Sequence, residues 1–554
     1  MGKSKCWLSL IALGWLCAPS TLPAQVQRPG QYLLVFRDKA NTPFRADQPG
    51  QFLSARSVAR RQRQGIAVTE RDLPVTPAYV QGLRQAGARV LYTSRWLNAA
   101  LVEAHAAQLP ALLALPYVLR LETGRTLNNS SARLNAAEAT AEAAAQRTQK
   151  FGELTDVPNY GPADFQLRQL GVDQMHAQGY RGEGMLVGVL DAGFLRANEV
   201  PFLQTLFSEK RVVATYDFAD RETDVYDDDS HGLSVLSVMA AELPGQLYGP
   251  AFKASYVLLR TEVAATENPV EEAYWLFGAE YADSVGVDVI NSSLGYTTFD
   301  NPADNHTYAD LNGATTIVSR AATWAGQAGM VVVNSAGNDG ASAWRYISAP
   351  ADSPALLSIG AIDRTEQLAR FSSVGPAANG RLKPDLVALG VGTSLGSPAG
   401  TITTGNGTSF SSPLVAALAT GFWQAHPRLT ATQVRDCLRQ SGSRVGRPDN
   451  FYGYGIPNFG RAAAAALLRY SADAPLVVLF PNPSVSPEPL SVFWREADPD
   501  EAVDVQVTDG AGRVILQQRF SSAQTFNLSP IATGTYLLTM TTATRRRTLR
   551  FIRL

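Results

Sequence analysis

Apolar and polar positions change rhythm twice along this chain of 554 residues. In the first region "QYLLVFRDKA" alternates as a strand does, and "SARSVARRQRQG" has the spacing of a basic amphipathic helix. A helix around Tyr79 to Gln85 follows, then two strands in "ARVLYTSRWLNAALVEA", a helix in "AAQLPALLAL" and a strand in "VLRLET". This order, β-α-β-β-α-β over residues 31–123, predicts an α+β module of ferredoxin-like type. The next stretch, "TLNNSSARLNAAEATAEAAAQRTQK", is poor in large apolar residues and predicts an exposed linker.

From Tyr160 to Ser471 short apolar runs alternate with helical patterns: "MLVGVLDAG", "RVVATYDF", "ASYVLLRTE", "VDVINSSLG", "GMVVVNSAGN" and "LLSIGAID". Runs this apolar are strands buried on both faces, so the expected fold is α/β, a parallel sheet with helices on both sides. Active residues of such sheets collect at the carboxyl ends of strands, where Asp191, Asn291 and Asn338 fall. The third region, from "LVVLFPNPSVSPEPLSVFW" to "RRRTLRFIRL", spaces short strands with Gly turns and predicts a small all-β sandwich. The expected division is 1–24, 25–124, a linker 125–154, 155–470 and 476–554.

Composition narrows the function classes. Lys and Arg number 48 against 49 Asp and Glu, which speaks against a nucleic-acid binder. Residues 1–24 read as an export signal, with Lys3 and Lys5 before the apolar run Trp7 to Cys17 and Ala24 at a cleavage position. That run is too short for a transmembrane helix, and no later segment is long and apolar enough, so the protein is expected outside the cell or on its surface. Removal of the signal leaves Cys437 without an intrachain partner, on a helix from Thr430 to Ser441.

Three windows carry candidate chemistry. "GVLDAGF" puts Asp191 at a strand end; "DDDSHGLSVLSVMAA" puts His231 at a helix start; "GNGTSFSSP" puts Ser409 before the apolar helix Pro413 to Phe422. Singly, each has an ordinary reading as a turn residue, a helix-start polar group or a cap. Together, in the order Asp, His, Ser, they match one of the known orders of a nucleophilic triad. A serine at a helix N-terminus also sits where N–H groups stabilise a developing oxyanion. Pro413 suits a first helical turn.

Through "VLDAGF", "SHG", "GTSFSSP", "VINSSLG" and "NSAGNDG" the chain resembles the subtilisin-like serine peptidases over residues 155–470. The resemblance implies a secreted serine endopeptidase acting on polypeptides through an acyl-enzyme. Ser409 would be its nucleophile, His231 its base and Asp191 the orienting carboxylate. Asn338 would be the oxyanion donor with the Ser409 N–H, and Ser293, Leu294 and Gly295 would pair with extended substrate. No cofactor is implied; calcium is common in the family, but no loop here gives it a place. Leu233 and Ser234 depart from the family pattern after the histidine. The acidic run Asp227 to Asp229 reads as a solvated loop, with basic substrates or a protonated His231 as the alternatives.

The first module, with "SRWLNAALV", resembles the propeptides of secreted bacterial subtilisin-like peptidases, which template folding and block the cleft. The last, with "PNP", "DGAGRV" and "GTYLL", resembles the sorting domains of the type IX secretion system of Bacteroidetes, making that machinery a partner. The competing reading is a catalytically silent secreted adhesin on the same fold. Retention of Asp191, His231, Asn338 and Ser409 together speaks against it.

Overall fold

The computed structural model describes residues 29–128, 157–470, 477–480, 490–494, 496–498, 500–523, 525–528 and 531–553. The expected export signal and most of the expected linker lie outside the described residues. The first module runs β1 (Gly30–Phe36), α1 (Ala55–Arg63), α2 (Pro77–Gln85), β2 (Arg89–Ser94), β3 (Ala99–Ala104), α3 (Leu109–Leu113) and β4 (Val118–Leu121). Its sheet order is β2-β3-β1-β4, the ferredoxin-like arrangement with α1 as an added helix. Alternation along β1 sends Tyr32, Leu34 and Phe36 to one face, under Leu83 of α2 and Leu112 of α3. Leu33 and Val35 point the other way and join the core of the second module.

That second module contains β5 (Leu186–Asp191), β6 (Val212–Asp217), α4 (His231–Ala240), β7 (Ser255–Arg260), α5 (Val270–Val285), β8 (Val289–Ser292), α6 (Ile317–Gln327), β9 (Val331–Ser335), β10 (Leu356–Ile362), β11 (Leu386–Leu389), α7 (Thr408–Ala425), α8 (Ala431–Gln440) and α9 (Phe459–Tyr470). Seven parallel strands form its sheet in the order β11-β10-β9-β8-β5-β7-β6. Val187, Val189, Val331 and Val333 face α4 and α7. Leu186, Leu190, Ile290 and Val332 face α5 and α6. The chain passes from β5 to β6 and β7 on one side and then to β8 on the other, so the connections leaving the carboxyl ends of the paired strands β5 and β8 run in opposite directions. A crevice opens there.

The first module lies on α5 through apolar residues and one charged cluster. Asp283, fully buried on α5, receives guanidinium groups from Arg60 and Arg61 of α1 and from Arg95 beyond β2, the last two at 2.8 and 2.6 Å. These cations hold its carboxyl below the ordinary aspartate range, against the opposing effect of burial. Arg61 also reaches Asp72 at 2.9 Å. The Lys39 ammonium donates to the carbonyls of Glu70, Leu73 and Arg95 at 2.7, 2.7 and 2.8 Å, which pins the two segments carrying Asp72 and Arg95. The end of the module is docked too. Leu127 is buried, donates its N–H to Gln31 and accepts from the Val270 N–H at the start of α5. The expected linker therefore begins as a bound segment.

The C-terminal strands form the expected sandwich. One sheet has Val477–Phe480, Leu490–Trp494 and Thr525–Leu528; the other has Val503–Asp509, Val514–Phe520, Gly534–Thr541 and Arg546–Arg553. Trp494, Val505 and Leu538 fill its core, while Phe493 turns outward and packs into the core of the second module. Among the described residues no helix is long and apolar enough to cross a membrane.

Breaking a buried ion pair by removing one partner costs about 3–5 kcal/mol. Asp283→Ala takes the carboxylate from three guanidinium groups, of which Arg61 keeps Asp72, so urea unfolding of the full-length chain should show a loss of that order. A loss below about 1 kcal/mol, the size of an exposed pair, would contradict the central place given to this cluster.

Candidate active site

Asp191 ends β5 because the sheet's apolar run stops there, and His231 opens α4 directly above it. The His231 Nδ1 to Asp191 Oδ1 distance is 2.7 Å, with the carboxylate fully buried and the imidazole about one-third exposed (34%). Asp191 Oδ1 also accepts the Ala192 N–H at 2.9 Å. The pair is close because residue 232 is glycine. A Cβ there would lie 2.3 Å from the Gly193 carbonyl oxygen and 2.9 Å from Asp191 Cβ. Leu233 and Ser234, the departures from the family pattern, fit without strain: Leu233 is core, and the Ser234 hydroxyl donates to the Gly396 carbonyl at 3.2 Å.

Two members of the acidic run before His231 are built into the structure, while Asp227 is exposed as a solvated loop residue would be. Asp229 accepts the His231 N–H at 2.7 Å. Asp228 meets the Arg260 guanidinium at 3.1 Å. Burial, opposed by Arg260, pushes the Asp228 carboxyl up to about 6. Burial alone would lower the His231 pKa, but Asp191, then Asp229 and Glu262, outweigh it and raise it to about 9. His176 and His306 are held by other partners: the Tyr160 hydroxyl lies 2.8 Å from His176 Nδ1, and Glu272 lies 2.5 Å from His306 Nε2.

Ser409 lies in the first turn of α7. Gly407 precedes the helix with φ +151°, a conformation side chains rarely adopt. Pro413 is not in the first turn, as the sequence suggested, but inside the helix. It offers no N–H to the Ser409 carbonyl. The Ser293 hydroxyl takes that acceptor at 2.9 Å. Ser293 Oγ is held by Asn291 Nδ2 at 3.2 Å, and Asn291 Oδ1 accepts from the Ser412 hydroxyl at 2.8 Å. This relay rivets the start of α7 to the end of β8. The Ser409 hydroxyl itself is turned toward the Ser293 carbonyl at 3.5 Å, not toward His231. The ring of Phe410 stands 5.9 Å from the imidazole, so the two residues share one side of the crevice.

Asn338 follows β9 and is exposed. Its carboxamide oxygen accepts from both the N–H and the hydroxyl of Thr408, each at 2.9 Å. Its nitrogen therefore faces the mouth of the crevice, 3.8 Å from where a Cβ on Gly407 would stand. Ser293 and Leu294 are nearly buried, and Gly295 is exposed at the rim. The Leu294 carbonyl is taken by Asn334 at 3.0 Å.

Sequence reading missed Arg260, Thr408 and Glu262, and it put Asn291 at a strand end without its bonds to Ser293 and Ser412. An arginine closing the apolar run "YVLLR" was the signal for Arg260; nothing in the chain pairs Asn291 with Ser412. Two groups of three carboxylates come within reach of a single ion among the described residues. Asp217, Asp220 and Asp228 already surround Arg260. Glu262, Glu267 and Glu271 offer the oxygen donors a hard cation such as calcium takes. Burial first, then neighbouring carboxylates, raise the three to about 8, 7 and 10; for Glu267 those neighbours are Asp300 and Glu272, and the Tyr296 hydroxyl donates to Glu262 at 2.8 Å. Cys437 is buried on α8, and burial pushes its thiol up.

A buried carboxylate bonded to an imidazole, with a serine at a nearby helix N-terminus, is the arrangement that a hydrolase of the Asp–His–Ser class requires. Comparison with known proteins agrees with that class. Residues 182–455 match the subtilase family, 31–142 a peptidase S8 propeptide domain of Bacteroidota, and 478–553 a secretion-system C-terminal sorting domain. Subtilisin NAT of Bacillus subtilis subsp. natto is 31% identical over 299 residues, covering 54% of this chain and 70% of that protein. Subtilisin of Bacillus pumilus is 30% identical over 299 residues and is 97% covered. The crystal structure of MycP1 from the ESX-1 type VII secretion system aligns with a TM-score of 0.44 and 22% identity, over 56% of this chain and 90% of that one. The chain belongs to the subtilase family. It is a secreted serine peptidase made as a proenzyme, with a sorting domain at its carboxyl end.

An imidazole must be neutral to accept a proton, so kcat/KM should rise with pH through a midpoint above the ordinary histidine value of about 6.5. Stability has the opposite sign. The raised folded-state value makes the pair's contribution full below pH 6.5 and lost as pH rises through about 9. A rate profile flat from about pH 5 to 9, across the range where histidine titrates, would contradict the role of His231.

Proposed function

We propose that Ser409, His231 and Asp191 form the catalytic triad of this peptidase, with Asn338 and the Ser409 N–H as oxyanion donors. The observation that carries this reading is the buried Asp191–His231 bond beside the riveted N-terminus of α7. In the reaction the Ser409 hydroxyl leaves the Ser293 carbonyl and turns to His231, since such bonds tighten only with substrate bound. Its oxygen attacks the peptide carbonyl while the proton passes to Nε2. Asp191 holds Nδ1–H and stabilises the imidazolium. The carbonyl oxygen becomes an oxyanion facing Asn338 and the α7 N-terminus. The imidazolium then protonates the departing amine, leaving an acyl group on Ser409. Water, deprotonated by the same histidine, releases it. No organic cofactor or metal enters these steps.

Ser293, Leu294 and Gly295 line the wall along which extended substrate lies, with exposed Gly295 offering backbone to it. Residues 25–124 act as inhibitor and folding template, 155–470 as the peptidase and 476–554 as the sorting domain. The docking of Phe493 on the peptidase core makes the last division less clean than the sequence implies.

A fluorophosphonate probe should label the processed chain and fail to label Ser409→Ala, which should accumulate uncleaved if processing is autocatalytic. An unlabelled wild type would support the silent adhesin. Asn338→Ala should lower kcat by about 10²–10³, the range known for the oxyanion asparagine of subtilisin itself, with little change in KM. Unchanged turnover would remove Asn338 from the reading.

A further inference from the structure

Arg260, the last residue of β7, is buried and meets more partners than any ordinary strand-end arginine needs. Its guanidinium contacts Asp217 at 2.6 Å, Asp220 at 2.7 Å and Asp228 at 3.1 Å, and its Nε donates to the Ala192 carbonyl at 3.1 Å. Asp217 closes β6 and Asp220 lies just beyond it. Ala192 directly follows Asp191, and Asp228 belongs to the lead-in whose next residue, Asp229, caps the His231 N–H. One side chain therefore ties together the strand end that carries the triad aspartate, the lead-in that carries the histidine, and a third strand end. The backbone adds further bonds between the two segments, from the Phe194 and Leu195 N–H groups to the Val225 and Asp229 carbonyls.

We infer that Arg260 is a positioning residue for the reaction, holding Asp191 and His231 in register and neutralising the carboxylates around them; the inference rests on the triad proposed above. The physical argument has two parts. Three carboxylate oxygens lie within 4.8 Å of one another, a grouping that repels itself unless a cation sits among them. Arginine supplies that cation with a planar fork, so each contact also fixes a direction. Removing the cation does two things: it loosens the lead-in to His231, and it leaves uncompensated negative charge near the imidazole. The titratable groups facing His231 are Asp191 on β5, Asp229 on its own lead-in and Glu262 beyond β7, the last itself raised to about 8; from α7 the neutral ring of Phe410 stands 5.9 Å away. All three are acidic. Additional negative charge therefore favours the imidazolium further.

The test measures the rate of fluorophosphonate labelling against pH for the processed enzyme, obtained from the full-length chain, and for its Arg260 variants matured in the same way. Arg260→Gln should label roughly ten- to hundred-fold more slowly, as small misplacements of catalytic groups do, with its midpoint moved to higher pH. Arg260→Lys, which keeps the charge and loses the fork, should bring the midpoint back to the wild-type value while remaining slower. A purely structural arginine would lower the melting temperature and leave the midpoint where it was; that result, or wild-type labelling by Arg260→Gln, overturns the inference. Should Arg260→Gln fail to accumulate, Asp228→Asn carries the test. It should label several-fold more slowly with a midpoint moved down, and a wild-type rate would overturn the inference equally. Absence of labelling in the wild type would sink the triad reading instead, which keeps the two failures apart.

Discussion

The hydrogen bond between Asp191 and His231 places demands on almost every element around it. A carboxylate with no exposure must be brought to an imidazole that stays open to substrate. The parallel sheet meets the first demand by ending β5 at its carboxyl edge. The second is met by α4, which can descend onto that edge only because residue 232 has no side chain. Asp229 then fixes the first N–H of the helix, and the apolar Leu233 and Leu236 anchor its far face in the core. The Ser409 side of the crevice is built differently. There the proline inside α7 frees a carbonyl, and Ser293 takes it, so that a helix defect becomes the joint between helix and sheet.

The propeptide reaches the enzyme through a second kind of contact. Apolar side chains of β1 and β3 continue the core of α5 and α6, as within a single domain. Burial of this sort is non-directional and does not fix how the sheet is turned. Direction comes from the charged cluster at Asp283, from Arg56 on Asp288, and from the Leu127 backbone bonds at the start of α5. Affinity and orientation are thus supplied by different residues.

Much of this was legible in the chain. Apolar runs of strand length located six of the seven parallel strands, because a sheet covered on both faces leaves little polar alternation to confuse the reading; the short edge strand β11 (Leu386–Leu389) was not among them. Asp191, His231 and Ser409 were visible because each sits where an apolar run meets a cluster of small or polar residues. The place of Pro413 was misjudged, since local propensity puts proline at a first turn and only the tertiary bond from Ser293 makes an interior position tolerable. Arg260 and Asp283 were invisible in their roles. Their partners lie in other elements far along the chain, and charge spacing reports only on neighbours within one element. The acidic run before His231 was read as solvated for the same reason.

Asp283 receives its three guanidinium groups from two places, a helix at residues 55–63 and a turn at residue 95, and both must be folded before the charge is fully met. The cluster therefore works as a coincidence detector for assembly. A chain in which only α1 has docked leaves the carboxylate short of a partner, and one in which only the turn has docked strands α1's arginines. Only the complete propeptide, seated on a formed α5, satisfies both sides at once. Cleavage of the chain elsewhere does not disturb that arrangement, so cutting and letting go are separate events.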